Sequence, residues 1–135
     1  MLSSDETTTG SEPELISGWF NAFNERDLDG MLERFSPQIV FQPLRFPGVE
    51  HRYEGHDGIR AWFAAVTGGR HLHRIDAESF SETDDGRVLV SGAVSLAATG
   101  GIAPFSGIYV IEDGKIVAAT HYFTPTAVLD RLGLI

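Results

Sequence analysis

The stretch RVLVSGAVSLAATGGIAPFSGIYVIEDGKIVAATHYF, residues 87–123, decides the fold. It holds three segments rich in Val, Ile, Phe and Tyr, separated by Thr99-Gly100-Gly101 and Glu112-Asp113-Gly114, which are typical of hairpin turns. A similar segment precedes it and is joined to it by Asp84-Asp85-Gly86. We therefore predict an antiparallel meander of four strands, at 71–82, 87–98, 104–112 and 115–123.

The residues before the meander follow a helical period. Residues 14–25 place apolar side chains at helical spacing, and Ser11 is the predicted cap of that helix. Asp27 is predicted to cap a second short helix, which ends at Ser36-Pro37 because the residue before a proline avoids helical geometry. Residues 39–42 then read as a strand.

A third helix is expected to begin at its cap Asp57 and to close at Gly68-Gly69, and residues 126–132 are expected to form a short C-terminal helix. Helices followed by a run of strands are typical of an α+β fold. A twisted antiparallel sheet must cover one of its faces. We predict a cone-shaped curved sheet covered by three N-terminal helices and enclosing one pocket.

Composition excludes several classes of function. The 135 residues include no cysteine, which rules out disulfides and cysteine-ligated metal centres. Nineteen acidic and ten basic residues give a net charge of −9, so neither nucleic acid nor an anionic membrane is an expected partner. No apolar run approaches the length that spans a bilayer.

The N-terminus is acidic and polar. Residues 1–11 are expected to be a flexible tail, and residues 12–135 one domain. The acidic charge and the missing apolar segment are the opposite of a signal peptide, so a cytoplasmic location is expected.

Three stretches resemble nuclear transport factor 2-like domains, and most closely ketosteroid isomerases and SnoaL-like polyketide cyclases. They are FNERDLDGMLERFSPQIVFQP (23–43), YEGHDGIRAWF (53–63) and APFSGIYVIEDGKIVAATHYF (103–123), and the resemblance runs from about residue 15 to 134. It implies the cystatin-like roll of this superfamily, a homodimer formed through the sheet, and no cofactor. It does not define a function, because the fold hosts isomerases, cyclases, hydrolases and non-catalytic binders.

The residues that ketosteroid isomerases use are replaced here. The resemblance places Gln42 where the aspartate base belongs, Trp19 at the tyrosine that holds the oxyanion, and Ser106 at its aspartic acid partner. An amide is not basic near neutral pH, so standard ketosteroid isomerase chemistry is not expected. SnoaL-like cyclases and limonene-epoxide-hydrolase-like relatives carry acids on the last strand, where this chain has His121 and Thr124.

His121 is the candidate catalytic residue, since histidine can exchange a proton near neutral pH. Strand alternation puts it on one face with Val117, Ala119 and Phe123. The alternative is a histidine that only shapes the site through a hydrogen bond, for example to Ser106.

Several other side chains are expected around the pocket. The complete set of predicted ligand-binding residues is Trp19, Gln42, Tyr53, Phe63, Ser106, Ala119 and Phe123. Tyr53 belongs to the long loop 44–54, which either covers the pocket or is merely solvated. His71 and His73 alternate on a strand at a spacing that could suit a metal, but a solvated pair is favoured and no metal is predicted.

Two functions follow from the sequence. The first is a SnoaL-like protein for a small hydrophobic, polyketide-like or steroid-like molecule, acting as a cofactor-independent isomerase, cyclase, lyase or hydrolase. The second is a non-catalytic binding module that keeps the fold without the carboxylates. A scaffold whose interior is filled by Trp and Phe side chains is a third possibility.

Overall fold

The computed structural model describes residues 3–46, 48–68, 72–96 and 100–133. Within them, in chain order, lie α1 (Ser3–Asn24), α2 (Leu28–Arg34), β1 (Phe35–Gln42), β2 (Tyr53–Glu54), α3 (Gly55–Gly68), β3 (Leu72–Glu82), β4 (Val88–Leu96), β5 (Ile102–Glu112), β6 (Lys115–Tyr122) and α4 (Thr126–Arg131).

The strands form one six-stranded sheet in the order β2-β1-β6-β5-β4-β3. The predicted meander is confirmed, because β3, β4, β5 and β6 pair antiparallel in succession. Strand β1 returns to lie parallel to β6, with Phe41 opposite Ala119. Helix α1 lies against β3 and α3 against β1, so the helices cover one face of the curved sheet. The α+β fold class is confirmed.

The start of β1 differs from the sequence prediction. Asp27 caps α2 as expected, since its carboxylate accepts a hydrogen bond from the Gly30 amide at 3.0 Å. The helix ends at Arg34, however, and Phe35 is already extended (φ −100°, ψ 139°). Pro37 therefore lies inside β1, in the stretch where the β1–β6 register shifts and a missing amide proton is tolerated.

The region around α3 corrects two further predictions. Helix α3 begins at Gly55, which has a positive φ of 72°, so Asp57 lies in the first turn and not at the cap. The Asp57 carboxylate pairs instead with Arg60 at 2.8 Å. Strand β2, within the predicted loop, is only two residues long, which is too short for alternation to reveal.

The first helix begins earlier than expected. Helix α1 starts at Ser3, so Ser11 lies inside it and is not its cap. Residues 1 and 2 lie outside the described residues, and the mobility of 1–11 stays a prediction. None of the helices in the described ranges has the length and apolar character needed to cross a bilayer.

Aromatic side chains occupy the space between the helices and the inner face of the sheet. Eight of these side chains are at most 2% exposed: Trp19, Phe20, Phe23, Phe35, Phe41, Trp62, Phe105 and Tyr109. A separate depression of about 300 Å³ lies on the outside, between the middle of α1, the end of α2 and the β5–β6 turn. It is lined by Glu12, Glu14, Leu15, Arg34, Ile111 and Gly114.

Candidate ligand-binding site around His121

His121 lies on the inner face of β6, opposite Gly107 of β5. A Cβ atom on Gly107 would lie 2.8 Å from Tyr109 Cε1 and 3.3 Å from His121 Cδ2, closer than such contacts normally come. The imidazole therefore occupies space that only a glycine leaves open. The His121 side chain is 6% exposed and packs against the aromatic interior.

A bulge modifies the alternation that the sequence predicted for β6. The pairing with β5 shifts between Val110 and Ile111, which leaves Val117 without an opposite residue. As a result Ala119 and His121 face inward as expected, whereas Val117 is only half-buried. Phe123 lies beyond the end of the strand, where it is 37% exposed.

Aromatic rings surround the His121 imidazole. Trp19 stacks on it, with ring centroids 5.8 Å apart and planes only 10° from parallel. Phe41 and Phe105 meet it edge-to-face, at centroid distances of 5.1 Å and 4.8 Å. Strands β1, β5 and β6 and helix α1 thus each supply one part of this cage.

A chain of hydrogen bonds runs through the cage. Trp19 Nε1 donates to the Tyr109 hydroxyl oxygen at 3.2 Å, and that hydroxyl lies 2.6 Å from His121 Nε2. If Nε2 also donated to Tyr109, the single hydroxyl proton would need another acceptor in this apolar interior. We therefore assign the Tyr109 hydroxyl as the donor to Nε2, which places the imidazole proton on Nδ1.

Burial keeps both partners of this pair neutral. Removal from water lowers the pKa of His121 to about 3, because the imidazolium form is poorly solvated there. Burial likewise raises the pKa of Tyr109, although the Trp19 N–H acts in the opposite direction. At neutral pH the site therefore offers neutral hydrogen-bonding groups, and His121 is a weak base.

Ser106 lies on the other face of the sheet from His121. Phe105, Gly107 and Tyr109 face the interior, so alternation turns Ser106 outward, and its hydroxyl donates to the backbone oxygen of Thr124. The partner that the sequence analysis suggested for His121 is therefore replaced by Tyr109.

Gln42 is also turned away from the interior. It is exposed, next to the buried Phe41, and its side-chain oxygen accepts a hydrogen bond from the Thr120 hydroxyl at 3.2 Å. Phe41, and not Gln42, is the residue at this end of β1 that contacts His121.

The remaining predicted residues lie in the interior or at its margin. Tyr53 is opposite Phe41 in the β1–β2 pair and is 7% exposed, and its hydroxyl accepts a hydrogen bond from the Glu50 amide at 2.9 Å. Phe63 is half-buried and contacts Phe23. Phe123 packs on Phe46 at a centroid distance of 5.4 Å. The structure thus groups Trp19, Tyr53, Ala119 and His121 inside.

Tyr109 is the important residue that the sequence analysis missed. It alternates with Phe105 and Gly107 on β5, so alternation alone could have placed it on the inner face of β5, beside β6. Its pairing with Trp19 depends on a contact across 90 residues of sequence, for which no local signal exists.

Of the two histidines considered as metal ligands, only His73 can be located in the structure. His71 lies outside the described residues, and His73 is exposed. In the part of the chain that is described, no group of three or more metal-binding side chains comes together.

Comparison with known proteins identifies relatives of this architecture. The model of the SnoaL-like domain matches residues 16–119. No curated protein sequence matches the chain.

Solved structures provide close matches to the fold. TerC, co-crystallised with polyporic acid, is 24% identical with a TM-score of 0.72, over 90% of this chain and 97% of that one. An NTF2-like protein of unknown function from Burkholderia pseudomallei is 22% identical (TM-score 0.71, 89% and 95% covered). A putative polyketide cyclase from Sinorhizobium meliloti is 23% identical (TM-score 0.67, 82% and 94%). At these identities the likeness establishes the fold.

Proposed function

The chain belongs to the SnoaL-like domain family, and we propose that it binds a small, predominantly hydrophobic molecule in the aromatic interior beside His121. The observation that carries the proposal is the buried Trp19–Tyr109–His121 chain of hydrogen bonds. A few neutral polar groups inside an aromatic enclosure are the usual composition of a site for such molecules. TerC, which shares the fold, was co-crystallised with an organic small molecule, polyporic acid, and this supports a small organic molecule as the ligand.

Recognition, and not proton abstraction by His121, is the role that the geometry favours. A histidine whose pKa is about 3 is a poor proton acceptor at neutral pH. Its Nδ1–H, which our assignment leaves outside the Tyr109 bond, is a suitable donor to a ligand. The stacked Trp19 ring and the edges of Phe41 and Phe105 supply flat apolar contacts.

Access to the interior is proposed at the end of the parallel pair β1–β6. The segments that follow parallel strands leave the sheet at the same edge, and here Phe46 after β1 packs on Phe123 after β6. Phe46 is half-buried and Phe123 is 37% exposed, so this contact is the outer margin of the interior. Because rings fill the interior, binding requires some of them to move.

Titration with polyporic acid and with 1-naphthol, followed by tryptophan fluorescence, tests the proposal. Binding is expected to perturb the emission of the protein, since Trp19 and Trp62 both lie in the interior. His121→Phe keeps a ring in place but removes the donor, so we expect about tenfold weaker binding. The outward Gln42→Ala is the matched control and is expected to bind normally. Absence of binding by both compounds would overturn the proposal.

A cofactor-independent isomerase, cyclase or hydrolase is the second candidate, favoured by the 2.6 Å bond between Tyr109 and His121. In a water-poor interior such a pair would stabilise negative charge developing on a substrate oxygen. Turnover would then fall in both Tyr109→Phe and His121→Ala. Its pH profile would show no ionisation of His121 near 6.5, and such an ionisation would contradict this role.

We also propose that a second copy of the chain covers the outer face of the sheet. Alternation turns uncharged side chains outward on the central strands, and several of these are only half-buried in the single chain. They include Ser91, Ala93, Val110, Ala118 and Tyr122. An uncharged sheet face of this kind suits an interface between two identical sheets.

A further inference from the structure

Trp62 carries a buried donor that has no hydrogen-bond partner. In the described part of the chain, Trp62 Nε1 is the one buried side-chain nitrogen or oxygen atom without a hydrogen-bond partner. The Trp62 side chain is 2% exposed. Leaving such a group unpaired costs free energy that a folded protein usually avoids. Trp19, in the same interior, has its N–H bonded to Tyr109.

The unpaired N–H lies among rings that also border His121. Phe41 meets the Trp62 ring edge-to-face at 4.8 Å and the His121 ring edge-to-face at 5.1 Å. Phe41 thus contacts both side chains. A flat molecule that displaced the Phe41 ring would take its place against the rings of both Trp62 and His121.

We infer that the Trp62 N–H is the donor for an oxygen acceptor on the ligand, and that the ligand class is a flat, uncharged aromatic ketone or quinone. The inference rests on the proposed function. An acceptor is required because Trp Nε1 only donates. The buried polar residues of the described chain are Ser36, Ser106 and His121, with no Arg or Lys among them. A carboxylate would therefore be buried without a counter-charge, which is costly.

The test compares 1-indanone with indane, which share a bicyclic skeleton and differ in one carbonyl oxygen. The chain has two tryptophans, so a ¹⁵N-labelled sample gives two indole N–H signals, assigned with Trp62→Phe and Trp19→Phe. We expect 1-indanone, but not indane, to move the Trp62 indole proton downfield. The Trp19 signal, already bonded to Tyr109, is the internal control.

Affinities provide the second measurement. We expect Trp62→Phe to lower the preference for 1-indanone over indane about tenfold, with indane binding retained. If Trp62→Phe does not fold, the indole signals of the unaltered chain still decide the question. Equal shifts of the Trp62 signal with both compounds, or an unchanged preference in Trp62→Phe, would overturn the inference and leave hydrophobic binding in place. Failure of both compounds to move either indole signal or to bind would overturn the proposed function together with the inference.

Discussion

The depressed pKa of His121 makes the stability of the fold depend on pH. The folded protein takes up no proton at His121 until about pH 3, whereas the unfolded chain does so near 6.5. Above pH 6.5 His121 is neutral in both states, so the free energy of unfolding has its full value there. It falls by up to about 1.4 kcal/mol per pH unit as the pH drops from 6.5 towards 3. Urea denaturation at pH 7, 6 and 5 measures this slope.

Two variants isolate the contribution of His121. His121→Phe has no proton to bind in either state, so its stability should change much less across this range. His73→Gln alters an exposed histidine and should keep the slope of the original protein. A His121→Phe slope equal to that of the original protein would show that another group titrates.

The raised pKa of Tyr109 makes stability fall at high pH as well. The tyrosine ionises above pH 10 in the unfolded chain but stays neutral in the folded protein, so the free energy of unfolding decreases there.

Gly107 is the residue whose replacement should disturb the site most directly. A methyl group there would lie 2.8 Å from Tyr109 and 3.3 Å from His121, and the rigid rings cannot both withdraw. We expect Gly107→Ala to lower the free energy of unfolding by about 1–3 kcal/mol, as overpacked cores do. Thermal denaturation measures the loss. Gly68→Ala, with no atom within 4 Å of the added methyl, should cost nothing; equal stability of the two variants would contradict the argument.

At the scale of helices, two aspartates that look alike in sequence are expected to behave differently. Asp27 holds the Gly30 amide at the start of α2, so Asp27→Ala should destabilise the protein by about 1 kcal/mol. Asp57 makes an exposed pair with Arg60 inside the first turn of α3, and Asp57→Ala should have no measurable effect. Equal losses in chemical denaturation would show that Asp57 also supports its helix.

The same elements show how far the sequence could predict the structure. Long strands with turn residues between them, such as Val88–Leu96 and Ile102–Glu112, carry a period that survives in the fold. The boundary at Arg34–Phe35 does not, because helical spacing of apolar residues continues past the point where Pro37 forces extended geometry. Trp19 and His121 could be placed by pattern and resemblance. Their link through Tyr109 could not, because it is formed only by tertiary packing.

At the scale of the molecule, the curved sheet has two different faces. The inner face holds the aromatic rings and His121, whereas the outer face of β4–β6 carries small or uncharged side chains such as Ala93 and Ala118. A chain with a net charge of −9 resists association unless an uncharged surface is available. The outer face is such a surface, which is why we place the second copy there and not on the helices.

Sedimentation equilibrium tests this arrangement with one substitution at two places. The chain has a mass of 14.7 kDa, and we expect a species of twice that mass. Ala118→Arg puts a charge on the outer face of β6, where the paired residues Val40 and Val110 are apolar. It should give monomers, because an unpaired charge cannot be buried there. Ala64→Arg makes the same change on the exposed side of α3 and should leave the dimer intact. A monomeric original protein, or dimers that survive Ala118→Arg, would exclude this sheet face as the interface. Retained ligand binding in the Ala118→Arg monomer would show that each interior is complete in one chain.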